Sequence, residues 1–164
     1  MPLASGLGWA ELLEGFVVSN TINGLALGLA GFTIARSRPG NAVGWLLLAA
    51  GTAYSLSGMG YALLAWGTTP GQTSPGWRLL ADATSLGWPT AVSFFIPTAL
   101  LLFPDGHLPS RRWRPVVGLA ALAAMGFLAL MALGAQDTTT AVGVDGYLRV
   151  GALDGLSWLP TAVG

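Results

Sequence analysis

Asp105 and His107, separated by Gly106 and followed by Arg111, Arg112 and Arg114, are the residues whose types and spacing best suit chemistry. A carboxylate beside an imidazole can shuttle protons, and clustered guanidinium groups can hold a phosphate or a lipid head group. The same stretch, Phe103 to Pro115, reads FPDGHLPSRRWRP and also has a plainer use. Pro104-Asp105-Gly106 makes a turn that stops one helix, Ser110 is placed to cap the next, and the arginines anchor a membrane face. The plainer use accounts for more of the segment, so a loop and anchor are expected there, not a catalytic site. No phosphate-binding glycine loop, HExxH or GxSxG is present. With no cysteine and a single histidine, thiolate and multi-histidine metal sites are excluded. No catalytic residue, cofactor or metal is expected.

The elements that must position this stretch are apolar. Of 164 residues, 53% are hydrophobic and only 9% charged, against about 25% charged in soluble domains. Mean hydropathy is +0.64. Too few charges are present to coat a globule, and an integral membrane protein is expected. Net charge is zero and all seven basic residues are arginine, so nothing favours a nucleic-acid partner. Four charge-free segments, at about 16–35, 42–66, 86–103 and 116–133, approach or exceed the length needed to cross about 30 Å of hydrocarbon. The seven acids fall outside all four. The fold expected is all-α: a polytopic membrane protein with four transmembrane helices in two hairpins, occupying residues 1–134. Residues 67–85 read as a loop ending in an interfacial turn. Residues 135–164 read as an extracytoplasmic tail or the truncated approach to a further span.

Arg36 and Arg38 lie between the first two spans, and Arg111, Arg112 and Arg114 between the last two. These are five of the seven arginines, in short loops where positive charge is retained on the cytoplasmic side. Both termini are therefore expected outside. Trp45 and Trp113 near the inner boundary, with Trp9, Trp66 and Trp88 near the outer one, agree with this.

Small residues mark packing faces: Gly24 and Gly28 on the first span, with Gly31 close by and Asn20 a turn earlier, and Gly51, Ser55 and Gly58 on the second. Asn20 and Asn23 read either as interhelical hydrogen-bonding groups or as a polar ligand pocket near the outer leaflet, the first being favoured. Pro97 should kink the third span, with Ser93 placed to satisfy freed backbone groups. A faint echo, Arg38-Pro39 with Val43-Gly44 against Arg114-Pro115 with Val117-Gly118, would fit two hairpins entered by the same turn.

NAVGWLLLAAG (Asn41 to Gly51) and LLFPDGHLPSRRWRPV (Leu101 to Val116) resemble the N-terminal membrane region of actinobacterial two-component sensor histidine kinases. That family commonly has N-P-x-G-W-L-L-L at the entry to the second span and an L-F-P-D-G-R-L-P-S-x-R-W-like link between the third and fourth. Here Ala42 replaces the proline and His107 stands where arginine is usual. The resemblance covers roughly residues 16–134. It implies a multi-pass cell-membrane sensor that dimerises through the full-length protein and signals to a cytoplasmic kinase region downstream. The phospho-acceptor helix and ATP-binding domain are missing from these 164 residues. The expectation is a non-enzymatic signal-input module, a fragment of a longer protein, with the lipid bilayer as its immediate partner. The alternatives are a small transporter or channel component, an accessory membrane protein, or a membrane enzyme acting through Asp105 and His107.

Overall fold

The structure, a computed structural model, describes residues 13, 16–67, 74–133, 144 and 146–148. Its described residues form helices and loops, with no strand among them. Helix α1 is Val17–Ser37 and α2 is Ala42–Gly67. Helix α3 is the continuous stretch Pro75–Leu101, and α4 is Arg114–Leu133, entered through a 3-10 turn at Arg111–Trp113. All four are long and apolar enough to span a membrane.

Helices α1 and α2 form the tightest pair, and glycine explains why. Gly24 and Gly31 on α1, and Gly44, Gly51 and Gly58 on α2, recur every seven residues, which keeps one face of each helix on the seam. The register is antiparallel: Gly24 faces Ser55, Gly28 faces Gly51, Gly31 faces Leu48 and Ala35 faces Gly44. A methyl group on Gly51 would lie 2.6 Å from Gly28 Cα and 2.7 Å from Gly24 O. One on Gly44 would lie 2.6 Å from Ala35 N. Gly28 itself has open space where a Cβ would stand, and it serves the seam through its backbone. Gly58 lets α2 approach Val17 O and Thr21, with Asn20 Cβ beside it.

Helix α2 is the centre of the molecule. It packs on α1 along one side and on α3 along the other, α3 in turn packs on α4, and α1 makes no extensive contact with α3. A cleft therefore runs between α1 and α3 with α2 as its floor. Helix α4 is the least covered, with Leu119, Leu122, Met125 and Leu130 all more than half exposed on the surface expected to meet lipid.

The third helix differs from expectation. It starts at Pro75, where Pro occupies the first helical turn, and so joins to the span the stretch around Trp77 and Leu80 that reads in the sequence as a separate interfacial turn. Its 27 residues rise about 40 Å, more than a hydrocarbon core needs. The surplus accommodates Arg78 and Asp82, so the third spanning helix, longer than the expected 86–103, does take in one acid. It also moves Trp88 from the outer boundary to mid-helix. The end of the bundle where α3 begins is closed by residues after α4. Val144 is fully buried with Leu64 and Ala81, against Trp77 and Leu80. The Arg78 guanidinium lies 4.1 Å from the Tyr147 ring centroid, and Asp82 accepts the N–H groups of Tyr147 and Leu148 at 2.9 and 3.3 Å. Trp9, Glu11, Glu14, Asp137, Arg149 and the remainder of the tail lie outside the described residues.

At the other end, Asn41 joins the two arginine loops. Its Oδ1 caps α2 by accepting from Val43 N at 2.9 Å, and its Nδ2 donates to Pro104 O at 2.9 Å. Gly106, at φ 78°, sits so close to Asn41 and Ala42 that a Cβ would meet Ala42 N at 2.7 Å. The echo between the two hairpins does not extend to structure. Pro39 precedes α2 by three residues whereas Pro115 lies inside α4, and Gly44 is jammed against Ala35 while Gly118 faces open space. Ser110 makes no side-chain cap; its backbone carbonyl accepts from Trp113 N at 3.1 Å.

Candidate functional site

The arginine-loop residues gather at one end of the bundle and form no reactive constellation. Arg36, Arg38, Asp105, His107, Arg111, Arg112 and Arg114 are all exposed. His107 Nδ1 lies 2.9 Å from the backbone carbonyl of Asp105, which orients the ring without engaging the carboxylate. Among the described residues these five arginines make no ion pair, so their charge stays available to solvent and head groups.

The polar groups that do converge are in the cleft between α1 and α3. A cavity of about 380 Å³ is lined by Phe16, Ser19, Asn20 and Asn23 of the α1 end, Tyr54 of α2, and Trp88 and Val92 of α3. A second space of about 30 Å³, enough for one water molecule, continues inward past Ser57, Tyr61, Thr84 and Ser85, and shares Phe16, Asn20 and Trp88 with the first. Asn20 is the hinge of this arrangement. It is only 8% exposed, and among the described residues its side-chain amide makes no hydrogen bond. Thr84 Oγ1 is likewise buried with no hydrogen-bond partner. Thr84 Oγ1 therefore carries a desolvation penalty of about 1–3 kcal/mol, while the Asn20 amide opens on the two spaces, where a ligand or water would meet it. Asn20 also touches Gly58, so its packing role and its place in the pocket coexist.

The cleft wall on α3 is irregular. Pro89 and Pro97 each lack an N–H, and between them the backbone widens into a π turn at Ala91–Phe95, with Ile96 N bonding to Ala91 O. Such turns are frequent at functional sites. Ser85 and Ser93 hydroxyls donate one turn back, to Ala81 O and Pro89 O. Ser93 therefore serves the π turn; the carbonyl freed by Pro97 is its own. Ser57 reaches across from α2, donating to Thr84 O at 2.7 Å and accepting from Trp88 N at 2.8 Å, so that one hydroxyl is spliced into the α3 ladder. Gly87 makes room: a Cβ there would stand 2.5 Å from Ala53 O. At the cleft mouth Phe16 holds φ 55°, a left-handed conformation uncommon for a bulky side chain. Its carbonyl accepts from Asn20 N and Ser19 Oγ, which sets the first turn of α1 and hence the positions of Ser19 and Asn20.

Sequence reasoning favoured interhelical hydrogen bonding for Asn20 and Asn23 and held a pocket as the alternative; both line the cavity, and Tyr54, Ser57, Thr84 and Trp88 were missed. Pro89 was the available signal, since a second proline eight residues before Pro97 marks a segment whose backbone must find outside partners. No protein-family model, curated protein or solved structure matches this chain.

Proposed function

We propose that this protein is a membrane-embedded signal-input module: it takes up a stimulus in the cleft between α1 and α3 and passes a conformational change to a cytoplasmic histidine kinase core. The observation that carries this reading is the unpaired, buried Asn20 facing a cavity whose opposite wall is the π turn of α3. A helix held by spliced and back-bonded hydroxyls has alternative hydrogen-bonding arrangements close in energy, which suits a two-state element. Helix α3 runs directly into the FPDG turn, so a shift at Trp88 is transmitted to the arginine-loop end. The wording of that loop resembles sensor histidine kinases, and the arginine distribution supports a cytoplasmic location for it, with both termini outside. Charge-free cleft walls argue against ion or proton coupling, which needs ionisable groups along the path.

The test is phosphorylation in native membranes. The chain, recovered with whatever continues or accompanies it, should acquire acid-labile, alkali-stable phosphate from labelled ATP. Trp88→Leu should change that level severalfold while Gly118→Ala, in open space, leaves it unchanged. Absence of phosphohistidine, together with solute flux in proteoliposomes, would replace the sensor reading with a transporter.

A further inference from the structure

We propose that the α1–α3 cleft binds an uncharged amphiphile with a hydroxyl-bearing head group, of the monoacylglycerol or fatty-alcohol class, taken up laterally from the bilayer. The inference rests on the reading of this cleft as the stimulus site and specifies its ligand.

Three observations select that chemistry. None of the residues lining the cavity is charged, so an ionic head group would be desolvated without a counter-charge. The polar lining consists of Ser19, Asn20, Asn23 and Tyr54, all groups that both donate and accept. A hydroxyl does both as well, whereas a carboxylate only accepts and an ammonium only donates. The unpaired amide of Asn20, 8% exposed, is the deepest of these groups and faces both cavities. The rest of the wall is Phe16, Val92 and Trp88, whose indole N–H adds one donor to an otherwise apolar surface that suits the first methylenes of a chain. The size, about 380 Å³, falls within the range of small-molecule sites, about 300–1,000 Å³. Entry is sideways because α1 and α3 both pack on α2 and not extensively on each other. Phe16, 59% exposed in its left-handed conformation, stands at the mouth, where backbone strain is commonly retained for a functional reason.

The probe is a diazirine-tagged monoacylglycerol added to the wild-type chain in lipid nanodiscs, with crosslinks mapped by peptide mass spectrometry. Saturable labelling within residues 16–23 and 88–92 is expected. Unlabelled monoolein should displace it, and ionised oleate at alkaline pH should do so at least about tenfold less well, as expected for an uncompensated charge. Asn20→Leu should weaken the labelling about three- to tenfold, the loss of one hydrogen bond. Ser19→Phe, which fills the mouth from an exposed position, should abolish it without touching a buried polar group. Non-saturable labelling spread over Leu119, Leu122 and Leu130 of α4, or equal displacement by oleate and monoolein, would overturn the proposal. No ATP is involved, so saturable labelling without phosphohistidine would leave this site standing and remove only the kinase reading.

Discussion

Ser57 illustrates how much a single hydroxyl contributes when it is placed between two helices. Its Oγ bridges Thr84 O and Trp88 N and so ties α2 to the least regular part of α3. Ser57→Ala should lower stability by about 1 kcal/mol, the net worth of such a bond, because Thr84 O and Trp88 N can partly re-form the ordinary helical bond. The loss would be read from unfolding of the purified protein in mixed micelles. It should be accompanied by altered Trp88 environment in fluorescence, since the bridge is bonded to that residue's own backbone. Residue type alone did not distinguish Ser57 from Ser55, two positions earlier, which was expected at the packing face and does oppose Gly24. Both are serines on the same apolar helix. Only the facing helix decides which one meets a free carbonyl.

At the scale of elements, the α1–α2 hairpin is held by backbone approach more than by side-chain bulk. Small residues marked the packing faces in the sequence, at Gly24 and Gly28 and at Gly51, Ser55 and Gly58, but the seven-residue register and the individual roles were not drawn from it. Gly28 and Gly51 look equivalent in the sequence, yet a Cβ on Gly51 meets backbone atoms of α1 while one on Gly28 meets nothing within 4 Å. Gly51→Ala should therefore destabilise the hairpin by about 1–3 kcal/mol, as expected when a methylene is forced into a packed seam. Gly28→Ala should be neutral or stabilising by up to about 1 kcal/mol, because a helical glycine is replaced in open space. Thermal unfolding of the two variants side by side measures both; equal losses would mean the register described here is wrong. The extent of α3 belongs to the same scale. A hydropathy reading began it near Leu86 and took 67–85, rich in Gly, Thr and Pro at its start, as a loop ending in an interfacial turn. The structure starts it at Pro75, since Arg78 and Asp82 have partners in Gly146, Tyr147 and Leu148.

For the whole molecule, the Asn41 bridge places the Arg36–Arg38 loop and the FPDG turn at one end, and the Asp82–Tyr147 contact closes the other. Two arginine loops at the same end are what the positive-inside tendency requires of a four-span protein. A reporter fused after Arg112 should register cytoplasm, and one fused after Asp137 the exterior. Reversed signals would invert the orientation and move the cleft to the inner leaflet.

The sequence by itself determined that the chain is a bundle of four apolar helices, because length, hydropathy and scarcity of charge leave few other ways to satisfy its backbone in a low-dielectric setting. It also determined the glycine seam and the arginine loops, since both depend on residue type at local spacing. The cleft was decided only by tertiary structure. Its polar groups come from positions 19 to 23, 54 to 61 and 84 to 92, and nothing local links them. They meet because α2 packs tightly on α1 through glycine and on α3 through Gly60 and Gly87, while α1 and α3 stay apart. Whether Asn20 and Thr84 find partners depends on that long-range arrangement, and their remaining unpaired inside the bundle is what turns a packing gap into a candidate site.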